Sequence, residues 1–170
     1  SAALTQRLTR IQGLPGTGKI HCSVKVVQSL VARQSMLGSS NPIFVCAGSN
    51  VAVDNLMDGL IKGSINALRI GPSNAVREDL EAYSVECMAK MQLASSSESG
   101  DAWKDASVLW KLENQLLKGC DVVCATNVGA AGGIFRKLTF DTVLMDEAAQ
   151  STEAVTLIPI VRGWPQIHFV

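Results

Sequence analysis

The chemistry this sequence could perform is concentrated in two short stretches. The first is Gly13-Leu14-Pro15-Gly16-Thr17-Gly18-Lys19, in which glycines recur and a lysine closes the run. Glycines let the backbone curl until several N–H groups converge, and such a concavity suits phosphate oxygens. A helix read from Gly18 onward adds its positive end, and Lys19 adds a cation able to reach β- and γ-phosphates. The second stretch is Asp146-Glu147, delivered at the end of the apolar run Thr142-Val143-Leu144-Met145. Adjacent carboxylates at a strand end suit a divalent cation and a water to be deprotonated. Asp146 is assigned the metal and Glu147 the base role.

One position departs from this scheme. A magnesium ion carried on a nucleotide takes a Ser or Thr hydroxyl directly after the loop lysine, and Ile20 stands there instead. His21 and Cys22 do not substitute, because Mg²⁺ prefers hard oxygen ligands in octahedral geometry. Two readings stay open: a site that binds and hydrolyses Mg-ATP, and a degenerate module that binds nucleotide without hydrolysis.

Something must hold the loop and the acids together, and the hydropathy pattern indicates what. Short apolar runs alternate with helical periodicity, as in an α/β fold with a parallel sheet flanked by helices. Strands are expected at 8–12, 43–47, 67–70, 121–125, 142–145 and 166–170. A helix from Gly18 carries Ile20, Val24, Val27 and Val31 on one face, and another carries Val53, Leu56, Met57, Leu60 and Ile61. A last helix is expected from about Thr152 to Val161. The alternation breaks at about 73–119, read as a helical insertion. One helix there is marked by Val76, Leu80, Tyr83 and Cys87, and a second by Trp103, Ala106, Leu109, Trp110 and Leu117 with Gly119 as its C-cap. In a parallel sheet the ligand crevice lies at the C-terminal ends of the strands, where both motifs fall.

Composition narrows the class. In 170 residues, 47% are apolar and 18% charged, which fits one folded domain and argues against disorder. Lys+Arg and Asp+Glu balance at 15 each, so the strongly basic footprint of an autonomous nucleic-acid binder is absent. Five cysteines in mostly apolar contexts read as reduced thiols of a cytoplasmic or nuclear protein. A strand reading puts Cys120 and Cys124 on one face, without the paired clusters a zinc site needs. No apolar run reaches the roughly 18 residues of a membrane span. A guanine-reading Asn-Lys-x-Asp is not found.

The motifs together resemble superfamily 1 helicases of the nonsense-mediated-decay type, with their senataxin-like and immunoglobulin-switch-binding relatives. IQGLPGTGK is similar to that family's IQGPPGTGKT, and VCAGSNVAVDNL resembles its motif Ia, with Gly48 where a proline is usual. CATNVGAAG and DEAAQSTEA resemble the next motif and motif II. The resemblance implies a P-loop NTPase of RecA-like fold spanning 1–170, with ATP and Mg²⁺ as cofactors and single-stranded DNA or RNA as partner. It implies nucleotide contacts from Gly13, Pro15, Gly16, Thr17, Gly18, Lys19 and Ile20, with Gln150 relaying the γ-phosphate state. It places Ala47, Ser49, Asn50, Thr126 and Asn127 toward the nucleic-acid backbone, although Ser49 or Asn50 equally suits a helix cap. Gln6 lies too near the loop to be the family's adenine-reading glutamine, and the strand QIHFV stops before motif III. The expectation is therefore a first RecA-like domain incomplete at both ends, lacking the second domain that closes over ATP and inactive by itself.

Overall fold

The computed structural model describes residues 6–14, 16–95, 106–162 and 166–170. Pro15, Trp103 and most of the polar loop at 95–101 lie outside the described residues. Six strands form one parallel sheet: β1 (Leu8–Arg10), β2 (Ile43–Ala47), β3 (Ala67–Arg69), β4 (Val122–Thr126), β5 (Thr142–Asp146) and β6 (Gln166–Phe169). Their order is β1-β6-β5-β2-β4-β3. The central strands β2, β4 and β5 are buried along almost their whole length, which is why they read as unbroken apolar runs rather than alternating ones.

Each face of the sheet has its own core. Helices α1 (Lys19–Leu37) and α2 (Asn50–Lys62) cover one face. Val27 and Leu30 of α1, and Val53, Leu56, Met57 and Leu60 of α2, pack on Ile43, Val45, Val122, Cys124 and Leu144. Full burial of each such side chain contributes about 1.5–3 kcal/mol, so the α2 stripe at i, i+3, i+4 spacing fixes that helix on the sheet. On the other face, Phe44 contacts Phe135 and Phe140 with ring centroids 5.1 and 5.0 Å apart. These rings join Leu68, Val85, Leu117, Val123 and Met145 in the second cluster. The helix α5 (Glu153–Ile160) follows the acidic pair, and its Ile158 packs there too.

The segment after β3 corrects the expected helix at Val76–Cys87. It forms two short 3-10 turns, Ser73–Ala75 and Glu78–Tyr83, before α3 (Val85–Ser95) begins. The cause is burial on opposite sides of the sheet. Val76 and Leu80 belong to the α1/α2 cluster, while Val85 belongs to the phenylalanine cluster. One continuous helix cannot point into both, so the chain wraps the edge strand, with Ser84 extended and bridging to Arg69. α3 then packs on α4 (Ala106–Lys118), whose end is followed by Gly119, donating its N–H to Leu116 O at 3.0 Å.

The cysteines also differ from the strand reading. Cys120 precedes β4 and packs with the phenylalanine cluster, whereas Cys124 points to the α1/α2 side. Burial pushes both thiols up to about 12, and among the described residues no three His, Cys, Asp or Glu side chains could hold a metal ion. All five cysteines are free. Among the described residues, no helix is long and apolar enough to cross a membrane.

Candidate functional site

The sheet brings the two chemical stretches together. β1 runs into the glycine loop and β5 ends at Asp146, with β6 lying between them. At about 4.8 Å per strand, that spacer separates their ends by roughly 10 Å. Gly13, Gly16, Gly18, Lys19, Asp146 and Glu147 line one cleft of about 960 Å³. Of the nucleotide residues read from sequence, Ile20 and Gln150 line it as well, while Thr17 is exposed beside it.

The loop is shaped for anions. Gly16 and Gly18 take φ of +78° and +82°, a left-handed conformation that a side chain would strain. Gly18 is the N-cap of α1 and supplies no side-chain hydrogen bond, and the first turn carries no acid. The first helical bond is Cys22 N–H to Gly18 O at 3.0 Å, so the N–H groups of Lys19, Ile20 and His21 lack helical acceptors. Thr17 ties the loop by donating its hydroxyl to Leu14 O at 2.7 Å. Lys19 Nζ lies back on the loop carbonyls, 3.2 Å from Gly13 O and 3.4 Å from Leu14 O. A cation resting on weak acceptors at a bare helix N-terminus is available to phosphate oxygens.

The acids differ from one another. Asp146 is buried, and its Oδ1 has no hydrogen-bond partner. Burial raises its pKa above the ordinary carboxylate value; the Glu147 N–H opposes this, the Glu147 charge adds to it, and Lys19 again opposes it. A buried carboxylate oxygen without a donor fits a divalent cation, which would supply the missing counter-charge. Ile20, 40% exposed in the same cleft, contributes nothing to such an ion. Glu147 is half-buried and adopts φ +53°, a rare conformation for a side-chain-bearing residue. The resulting sharp turn runs through a 3-10 segment, Ala148–Gln150, pinned by Ala148 N–H to Val170 O at 3.1 Å.

The five residues expected near nucleic acid share the next part of the same rim. Ala47 of β2 pairs with Thr126 on one side and Asp146 on the other. Each has a structural partner. Ser49 Oγ caps α2 by accepting from Ala52 N–H at 3.1 Å, and Thr126 Oγ1 accepts from Gly129 N–H at 3.0 Å. Asn127 is fully buried, and Ala47 is buried too. Ser49 and Asn50 are exposed.

Asn50 leads to a feature not read from sequence. Its Oδ1 accepts from Arg69 Nη2 at 2.8 Å, while Arg69 Nε donates to Asp54 Oδ1 at 3.2 Å. Asp54 Oδ2 accepts the Arg77 N–H at 3.1 Å, and Arg69 Nη1 reaches Ile70 O. Arg69 is 1% exposed, a buried guanidinium linking the start of α2 to the inserted segment. The available signal was an arginine inside the apolar strand Ala67-Leu68-Arg69-Ile70 and an aspartate inside the apolar stripe of α2.

The fold matches those of solved structures at low sequence identity. Similar folds, at 16% and 13% identity, are a DNA-bound nuclease-deletion mutant of the Type ISP restriction-modification enzyme LlaGI (TM-score 0.55; 98% of this chain, 16% of that one) and the Pyrococcus furiosus Hef helicase domain (TM-score 0.50; 89% and 25%). In sequence the chain is 34% identical to the ATP-dependent helicase upf1 of Schizosaccharomyces pombe, covering 99% of this chain and 20% of that protein. It is 35% identical to the ATP-dependent helicase NAM7 of Saccharomyces cerevisiae (100% and 18%), and 30% identical to the regulator of nonsense transcripts 1 homolog of Drosophila melanogaster (99% and 15%). The chain thus spans about one fifth or less of these relatives. The family model described as AAA domain (AAA_11) matches residues 1–107 and 95–168. With that model matching nearly its whole length, the chain belongs to this AAA domain family, and over that same length it resembles the ATP-dependent helicases upf1 and NAM7.

Proposed function

We propose that this chain is the nucleotide-binding core of a helicase that couples Mg-ATP hydrolysis to movement along single-stranded DNA or RNA. The observation that supports it best is the convergence, in one cleft, of an uncapped helix N-terminus with Lys19 and a buried, unpartnered Asp146 oxygen. In this reading the phosphates of ATP lie on Gly13, Pro15, Gly16, Thr17 and Gly18, and Lys19 exchanges Gly13 O and Leu14 O for phosphate oxygens. Asp146 holds Mg²⁺, which when bound neutralises developing phosphoryl charge. Glu147, presented by its left-handed backbone, orients and deprotonates the attacking water. Gln150 stands at the cleft mouth to sense the γ-phosphate. Ser49 and Asn50 face the nucleic-acid backbone, with Ala47, Thr126 and Asn127 shaping the rim beneath. A second RecA-like domain supplied by the intact protein closes the cleft, in a cytoplasmic or nuclear setting that keeps the five thiols reduced.

A second reading rests on Ile20, whose side chain lies in the cleft where a hydroxyl is needed. In it the loop binds nucleotide and hydrolysis is lost. Magnesium-dependent ATPase of the full-length protein decides between them, comparing native, Ile20→Thr and Lys19→Ala forms. Robust native activity abolished by Lys19→Ala supports hydrolysis. Activity that arises only in Ile20→Thr supports the degenerate module, and no nucleotide binding in any form overturns both.

A further inference from the structure

One side chain joins the nucleotide cleft to the nucleic-acid rim. Asn127, immediately beyond β4, is fully buried and donates its Nδ2 to Ser151 Oγ at 2.9 Å. Its backbone N–H donates to Ala47 O, the last carbonyl of β2, also at 2.9 Å. Ser151 follows Gln150 directly and closes the Ala148–Gln150 turn by donating its N–H to Ala148 O at 3.2 Å. Beyond Ala47 the chain runs through Gly48 to Ser49, and Gly48 abuts the same hydroxyl: a Cβ built on it would stand 3.5 Å from Ser151 Oγ. The turn that carries Glu147 and Gln150 thus touches the loop that starts α2 through a single serine.

The carboxamide is only half satisfied. Asn127 Oδ1 is buried and accepts no hydrogen bond. A buried acceptor without a donor costs free energy, so any shift of either loop that brought a donor to Oδ1 would be favoured. The 3-10 turn, Ser151 and the Asn127 carboxamide form a contiguous hydrogen-bonded route between the sites.

We propose that Asn127 and Ser151 form a positioning latch that transmits the state of the nucleotide cleft to the nucleic-acid rim. The latch rests on the proposed reading of both sites. It is tested in the full-length protein with a fluorescent non-hydrolysable ATP analogue, whose affinity is measured with and without saturating single-stranded RNA or DNA oligonucleotide. The ratio of the two affinities is the coupling factor, about 5-fold or more for a coupled pair of sites. Ser151→Ala and Asn127→Leu are each expected to bring the ratio to within about twofold of one, and the double variant to lose no more than either single. Ser151→Thr, which keeps the hydroxyl, retains the native ratio. If Asn127→Leu does not fold, the serine pair carries the test alone. Native coupling that persists in Ser151→Ala overturns the latch and leaves the proposed function standing. A native ratio of one, with both ligands bound, also overturns the latch. A native protein that binds no nucleotide overturns the proposed function, and the latch with it.

Discussion

Replacing Asp54 with alanine isolates the buried ion pair behind the rim. The side chains of Arg69 and Asp54 are 1% and 7% exposed, so the deletion leaves a guanidinium in the interior without its counter-charge. Removing one partner of a buried pair costs about 3–5 kcal/mol. Arg69 keeps Ile70 O and Asn50 Oδ1 as acceptors, which moves the expected loss toward the lower end. The Arg77 N–H also loses its acceptor, adding about 1 kcal/mol. The sum is about 4–5 kcal/mol, or roughly 8–20 °C in Tm for a domain of this size. Urea unfolding reads it as a lower midpoint at unchanged slope. An Asp54→Leu, Arg69→Met double variant, which buries no charge, should be more stable than Asp54→Ala alone. A loss below about 1 kcal/mol for Asp54→Ala would refute the view that this pair is desolvated and unreplaced by water.

Three further outcomes are expected. Asp146 has a folded pKa above its unfolded value of 3.8, so its contribution to stability is fully present below pH 3.8 and lost as pH rises through the folded value. Asp146→Asn should therefore raise the neutral-pH Tm of the nucleotide-free protein, with the difference vanishing in acid, and Mg²⁺ with ATP should stabilise the native form but not the variant. His168 is buried with neither ring nitrogen bonded, and burial lowers its pKa from 6.5. Its stabilising contribution is complete above pH 6.5 and lost as pH falls through the lower folded value, so His168→Leu should flatten that acid limb of a Tm–pH curve. Phe135→Ala, in the phenylalanine cluster, should cost about 3–5 kcal/mol by chemical unfolding.

The parts legible in the sequence were those set by local rules. Ile43–Ala47 and Thr142–Asp146 are buried on both faces and so carry no polar alternation to confuse the strand reading. Gly16 and Gly18 announce left-handed backbone by residue type alone. What escaped depends on distant partners. Val76 to Cys87 has helical spacing, yet its apolar residues answer to two different cores separated by the sheet edge. Arg69 reads as an interruption in a strand until Asp54 and Asn50 are placed beside it. Cys120 shares a face with Cys124 only if the strand extends back to it; β4 starts at Val122, so Cys120 is free of that alternation and packs on the other core. Glu147, for its part, carries no mark in its residue type of the left-handed turn that aims it.

The strand order carries a consequence for how the site comes into being. β1, made first, has β6 as its partner in the sheet, and β6 is made last of the six. Until residues 166–170 emerge from the ribosome, the glycine loop has no strand holding it at a fixed distance from Asp146. Such a sequence-distant pairing is slow to close and late to form. The fold therefore defers assembly of the cleft until the sixth strand is made: a nascent sheet with a complete loop and complete acids still lacks the spacer that sets them apart. Pulsed hydrogen exchange during refolding should find the amides of β1 among the last protected.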